Sequence, residues 1–412
     1  MNLQIDSGAL LAEIEELASI SDAQPPAVTR IVFSQADQKA RAWFIALCRQ
    51  AGLSVRTDPV GNTFARLPGS EPTAPAVGTG SHMDAIPNAG KYDGVVGVLG
   101  GLEAIRALQR SGFRPRHSIE LLLFTSEEPT RFGIGCLGSR LLSGIMSAEA
   151  ARKLKDKEGA SLEELRRDAG FSGALEDVKL PAGYYKAFVE LHIEQGPLLE
   201  KQKIPLGVVT SIAAPASFRF VVEGAGGHAG AVLMPDRKDA LTAAAEMILA
   251  IENAARSSGA MDTVATVGML DVFPGAVNSI PSTVKFTLDL RDTNLERRDA
   301  VMRQIENARE EIAAKRQLRI EQGLINADAP ARCAPEIVAA LSQSCAKHEL
   351  TSIPMVSRAY HDSLFMSRIV PAGMLFIPCL NGWSHRPDEC ASPADIERGV
   401  LVLAETLATL AG

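Results

Sequence analysis

The chain has 412 residues, 46% hydrophobic and 22% charged. That balance excludes a disordered, collagenous or coiled-coil protein and, at this length, favours two cores over one. Forty-two basic against 49 acidic residues give a formal charge of −7, which opposes general attraction to nucleic acid or an anionic membrane.

The first elements are two helices, Ser7 to Ile20 and Gln38 to Ala51, each with apolar residues at helical spacing. The opening segment is acidic, without the basic start of a secretory signal. Continuous apolar runs follow at 75–82, 118–128, 185–196 and 373–382, a pattern that suits strands buried on both faces. Between the first two runs, VVGVLGGLEAIRALQRSG predicts a crossover helix ending at Gly112, which makes a βαβ unit. From 213 to 326 the pattern changes to an alternating strand, a helix opened by Asp236, two strands (263–273 and 278–292), a charged helix Leu295–Arg316 and a last strand. That order, βαββαβ, is the split ferredoxin-like motif. The expected fold is therefore α/β. Residues 1–212 and 327–412 form a discontinuous catalytic domain with a mostly parallel, helix-flanked sheet, and residues 213–326 an inserted α+β domain. The six cysteines have no close CxxC pair and read as reduced thiols, with Cys136 and Cys379 as small buried apolar residues. No apolar run approaches the roughly 20 residues of a bilayer span, so a cytoplasmic protein without an anchor is expected.

Seven histidines are present, and three stand at the ends of buried runs: His82 in GSHMD, His192 in ELHIEQG and His385 in GWSHRPDE. Ligands in open α/β sheets bind beyond the carboxyl ends of the strands, so these three can share one crevice. Asp93 enters the crossover helix and Glu127-Glu128 closes ELLLFTSEE, at equivalent places. Histidines and carboxylates gathered there make a metal site. With this donor set two ions sharing one acid is a natural arrangement, and Asp93 is the best bridge. Two such ions can activate water and polarise a carbonyl. Glu128 is assigned to metal and Glu127 to proton transfer, and Asp84 is placed to accept a hydrogen bond from the His82 ring. In the inserted segment, GAGGHAG sets His228 among small residues, VNSIPS contributes Asn278, and Arg291 at a strand end offers a fork for a carboxylate. GAGG lacks the GxGxxG spacing of a dinucleotide site.

Through GSHMD, KYDGVVGVLGGLEA, TSEEPTRFG, LHIEQGPLLE, GGHAG, NSIP, LDLRD and SHRPDE, the chain resembles the carbamoylase/hydantoinase/allantoate branch of the dinuclear metal amidohydrolases, relatives of the aminoacylase and carboxypeptidase group. The resemblance implies two divalent ions, manganese or zinc, per subunit. His82, Asp93 and His192 would hold one, Asp93, Glu128 and His385 the other, with Glu127 as base. It also implies substrate contacts from Gln195, His228, Asn278 and Arg291, with His228 catalytic in stabilising the developing oxyanion, a homodimer joined through the inserted domain acting as a lid, and a lid histidine that reaches the partner's site.

Two departures bear on substrate. EEPTRFG and SRAYHDS stand where many carbamoylases have EEGSRF and SGAGHDA, so Arg358 and Tyr360 replace glycines and imply a smaller, more polar pocket, with His361 lining it. The expected activity is hydrolysis of the ureido C–N bond of a small carboxylate, (S)-ureidoglycolate first, with N-carbamoyl-L-amino acids or allantoate as alternatives. A catalytically silent metal-dependent binder is the reading from another class, and the retained Glu127 argues against it.

Overall fold

The computed structural model describes residues 3–412. The described chain separates into two compact units, one of residues up to Thr210 with Arg332–Ser357 and His361–Gly412, the other of Ser211–Ala331 with Arg358–Tyr360. The junctions expected at 212/213 and 326/327 compare with 210/211 and 331/332 here, and residues 358–360 group with the inserted unit.

The first unit is built on a sheet whose centre is four parallel strands in the order Ala372–Ile377, Tyr185–Ile193, Ala76–His82 and Ile119–Phe124. Antiparallel strands extend it, Leu206–Ile212 beside 372–377, and Thr63–Leu67 then Ser54–Thr57 beyond 119–124. Side chains alternate across a strand, and the cores divide accordingly. Ile119, Leu121, Leu123, Val189, Leu191 and Ile193 enter one core with the helices Ser7–Ser19, Val95–Arg110, Pro335–Lys347 and Pro393–Ala411. Leu122, Phe124 and Phe188 enter the other, under the shorter helices Leu137–Ser143 and Leu162–Asp168. Helices on both faces explain why these strands read as unbroken apolar runs.

The inserted unit is an antiparallel sheet in the order Val264–Thr266, Thr283–Asp292, Ala214–Glu223, Arg319–Ala327, with Leu270–Phe273 also on the 283–292 strand. Phe220 stacks on Phe286 with centroids 4.8 Å apart, in one core with Met247 and Ile251 of helix Ala240–Ser257 and Val301 and Ile305 of helix Leu295–Arg316. Two expectations change here. The first helix starts at Ala240 rather than Asp236, because it is the Asp239 carboxylate that accepts from the N–H groups of Leu241 and Thr242, while Met234–Asp236 makes a single 3-10 turn. The run 263–273 is two strands, both pairing with the same neighbour. Among the described residues no helix is long and apolar enough to cross a membrane.

Candidate active site

The four parallel strands bring their chemistry to one end of the sheet. His82 closes its strand, His192 is next to last in its own, Glu127 and Glu128 follow 119–124, and His385 follows 372–377. Asp93 precedes Gly94, the cap of helix Val95–Arg110, whose φ is +66°. A left-handed turn suits glycine, and close approach also requires it: a Cβ on Gly94 would stand 2.5 Å from His82 Nε2.

The two Asp93 oxygens face different partners. Oδ1 lies 3.2 Å from His192 Nε2 and 3.8 Å from His82 Nε2. Oδ2 lies 3.1 Å from His385 Nε2, which is itself 3.3 Å from Glu128 Oε1. Two groups of potential ligands thus share one carboxylate, His82–Asp93–His192 and Asp93–Glu128–His385. The ring Nδ1 atoms of His82 and His192 meet the carbonyls of Asp84 (3.0 Å) and Ile193 (2.9 Å), which turns each Nε2 to the cluster.

Adjacent residues on a strand would diverge, yet Glu127 and Glu128 both reach this site. The chain turns at Ser126, at φ +56°, and the Asp84 carboxylate accepts from both following N–H groups, Glu127 at 3.2 Å and Glu128 at 3.0 Å. Asp84 was expected to serve the His82 ring. Its carbonyl does so, while its carboxylate, 3.8 Å from that ring, holds the Glu127-Glu128 turn. Glu127 Oε2 is 3.7 Å from His82 Nε2, and Oε1 accepts from the Cys136 thiol at 3.4 Å. Cys136 is therefore more than the apolar filler expected; burial pushes its pKa up, keeping the thiol proton available to donate. Cys379 is buried, with its sulfur 3.7 Å from the Gly196 carbonyl.

The electrostatics suit cations. Burial pushes the Glu127 carboxyl well above its ordinary range, reinforced by Glu128, Asp362 and Asp84 against the opposing His82. For Asp93, burial is outweighed by hydrogen bonds from His192 and His385, which hold its carboxyl well below that range. Burial works against a charge on His82, but Glu127, Asp84 and Asp93 raise it to about 10. His385 is raised to about 11, first by its hydrogen bonds to Asp93 and Glu128. In this donor set histidine protons stand where divalent cations would balance the converging carboxylates, so the residues fit a metal pair.

Gln195 donates from Nε2 to Asp93 Oδ2 at 2.8 Å, and its buried Oε1 has no hydrogen-bond partner among the described residues. His361 is buried, its Nε2 3.0 Å from Ser357 Oγ and its ring 4.4 Å from that of His192. A residue that sequence reading missed, Glu190, completes a third grouping with His192 and His361. It accepts from Ser81 Oγ (2.7 Å) and Ser363 Oγ (2.6 Å). A carboxylate inside a buried strand, on the same face as His192, was the available signal.

In the inserted unit, His228 is exposed on a two-residue strand paired with Ser279–Ile280, and Ala229 N–H donates to the Asn278 carbonyl at 2.9 Å. Arg291 lies near the far end of the strand Thr283–Asp292. Its guanidinium is gripped by Asp289 at 2.7 and 3.1 Å and lies 5.8 Å from the centre of the Tyr360 ring. Arg358 is exposed and ion-paired to Asp262 at 2.7 Å. At a rise of about 3.3 Å per residue, this strand runs about 26 Å from Thr283 to Arg291.

A fold with a parallel sheet carrying histidines and carboxylates at its strand ends, and a ferredoxin-like insertion, defines a class of two-domain hydrolases. The chain belongs to peptidase family M20/M25/M40, whose model matches residues 78–409. It is 51% identical to ureidoglycolate hydrolase of Arabidopsis thaliana over 99% of this chain and 87% of that protein. It is 38% identical to N-carbamoyl-L-amino acid amidohydrolase of Geobacillus stearothermophilus over 99% of both. The crystal structure of AtUAH in complex with (S)-hydroxyglycine superposes with a TM-score of 0.92 at 50% identity, covering 99% of this chain and 98% of that one.

Proposed function

We propose that the chain is a metal-dependent amidohydrolase that cleaves the ureido C–N bond of a small carboxylate, (S)-ureidoglycolate, yielding glyoxylate, ammonia and carbon dioxide. The observation that carries the chemistry is the shared Asp93, with one oxygen towards His82 and His192 and the other towards His385 beside Glu128. The substrate rests on the full-length identity to ureidoglycolate hydrolase.

In this reading His82, Asp93 and His192 hold one divalent cation, and Asp93, Glu128 and His385 the other, as manganese or zinc. When bound, such a pair lowers the pKa of water and polarises a carbonyl. Glu127 is the general base: burial raises its affinity for a proton above that of an ordinary carboxylate, and in its ionised form it accepts a proton from the attacking water and returns it to the departing nitrogen. Cys136 fixes the Glu127 carboxylate through Oε1. Gln195 has an unpaired, buried Oε1 that could accept from a ureido N–H, and His361 lines the pocket beside His192. Arg291, backed by Asp289 and Tyr360, clamps the substrate carboxylate. In this reading His228 comes from a second copy, together with Asn278, whose carbonyl accepts from the Ala229 N–H. The working form is a homodimer joined through the inserted unit. Six free cysteines, five of them buried, fit a reducing cytoplasm.

The test is ammonia release by manganese-loaded protein from ureidoglycolate, allantoate and N-carbamoyl-L-amino acids, with Glu127→Gln alongside. Selective turnover of ureidoglycolate is expected. Glu127→Gln should lower kcat by about 10²–10⁴-fold with metal content unchanged. Preference for carbamoyl amino acids would overturn the substrate, and loss of metal from Glu127→Gln would make that residue a ligand.

A further inference from the structure

Glu389 is 4% exposed, although its neighbours His385 to Asp388 and Cys390 are all exposed. A carboxylate turned inward from a solvated loop is costly unless its oxygens are occupied. They are. Oε1 accepts the backbone N–H groups of Tyr92 at 2.8 Å and Asp93 at 3.0 Å. Oε2 lies 2.8 Å from the Ser384 hydroxyl, which is also 2.9 Å from Asp93 Oδ2. The fold makes room for this side chain at Gly90, where a Cβ would stand 2.3 Å from Glu389 Cβ and 2.5 Å from Oε1.

These contacts join two loops that have no sequence proximity. One carries Asp93, the other Ser384 and His385, and His385 has a left-handed φ of +60°. A non-glycine residue holds that conformation only where its surroundings fix it. The second loop is closed behind it by Leu380 N–H to the Cys390 carbonyl at 2.8 Å. Glu389 does not belong to either ligand group around Asp93.

We propose that Glu389 is a positioning residue, a carboxylate outside the ligand set that locks the Asp93 loop to the His385 loop so that both present their ligand atoms to one cation. The inference rests on the reading of this cluster as a metal centre. Its action runs through two N–H groups and one hydroxyl, so it depends on the acceptor atoms at residue 389 and not on a charge there. Glu389→Gln keeps an oxygen for the two N–H groups and an amide that can donate to Ser384 Oγ. Glu389→Ala removes all three links.

The experiment is competition of the manganese-loaded full-length protein with a chelator, read as manganese affinity and stoichiometry, with thermal unfolding of the metal-free proteins as the folding control. Glu389→Ala should bind the weaker of two manganese ions about 10–100-fold less tightly, the usual cost of losing a residue that orients a ligand, while Glu389→Gln stays within about threefold of the parent. A folded Glu389→Ala protein with parental affinity overturns the role. Equal weakening in Glu389→Gln also overturns it, because charge rather than hydrogen-bond geometry would then be at work. If Glu389→Ala does not fold, Ser384→Ala decides: weaker manganese binding supports the link, and parental affinity overturns it. A parent protein that binds no manganese would overturn the metal-centre reading itself and the positioning role with it, a result distinct from all the others.

Discussion

At the scale of single residues, the site depends on how closely the backbone lets side chains approach. Gly94 is one such point: its φ is +66°, and a methyl there would press on His82 Cδ2 and Nε2, each 2.5 Å away. Gly94→Ala should therefore displace the His82 ring and cost about 10-fold or more in affinity at the site shared with His192. Metal analysis of the purified variant checks this, and a full complement of tightly held metal would mean that the turn relaxes. The ligand candidates were legible in the sequence because His82, Glu128, His192 and His385 stand at or just after apolar runs and Asp93 at the entry to the crossover helix, so element and chemistry are read together. Glu389 was not legible. SHRPDEC is polar throughout and reads as a solvated loop, and only the fold shows that one of its carboxylates is buried. Glu190 stood in plain view as a charge within a buried strand, but its serine partners come from 81 and 363, far apart in the chain. The role of Cys136 likewise depends on a contact with Glu127 that spacing does not announce.

At the scale of elements, the alternation of side chains into two cores is what makes the central strands continuous apolar runs, and so makes them readable. The charged helix Leu295–Arg316 was equally plain, with Asn294 capping its start by accepting from the Arg297 N–H. The start of helix Ala240–Ser257 was misplaced because Asp236 and Asp239 are both chemically able to cap, and sequence does not rank them. These two helices are tied by Glu246, which accepts from Arg316 Nη2 at 2.7 Å and Lys315 Nζ at 3.0 Å. Those hydrogen bonds pull its pKa down to about 2 from an ordinary 4.5. A carboxyl with a lower pKa in the folded state stabilises above its unfolded value, and that contribution fades as pH falls from 4.5 towards 2. The group is largely solvated, so the effect is under about 1 kcal/mol. Glu246→Gln should accordingly lower stability by a few tenths to ~1 kcal/mol at pH 7, with the difference shrinking towards pH 2. Urea unfolding at both ends of that range measures it, and a difference independent of pH would assign the effect to packing instead.

At the scale of the whole molecule, the family and the α/β fold expected from the motif strings are those of the chain. What the strings could not show is the distance between residues they placed in one list. Arg291 lies about 26 Å along its strand from Thr283, whereas His228 and Asn278 belong to a separate two-stranded pairing. The inserted unit also leaves large apolar side chains in the open, among them Met261 (88%), Phe273 (66%), Met269 (60%) and Leu324 (63%). These side chains do not share one face of the sheet: Phe273 stands opposite Thr283, in line with Glu223, and Leu324 opposite Phe218, on the other side. The proposed dimer makes a quantitative demand. If His228 serves the partner's site, a heterodimer of one His228→Ala chain and one Glu127→Gln chain has one complete site, built from the first chain's Glu127 and the second chain's His228. Equal mixing with free exchange makes half the dimers hybrid, so activity should return to about a quarter of the parent level from two nearly inactive proteins. Native mass spectrometry counts the hybrids while ammonia release reads their activity. Hybrids without activity would place His228 in its own chain's site.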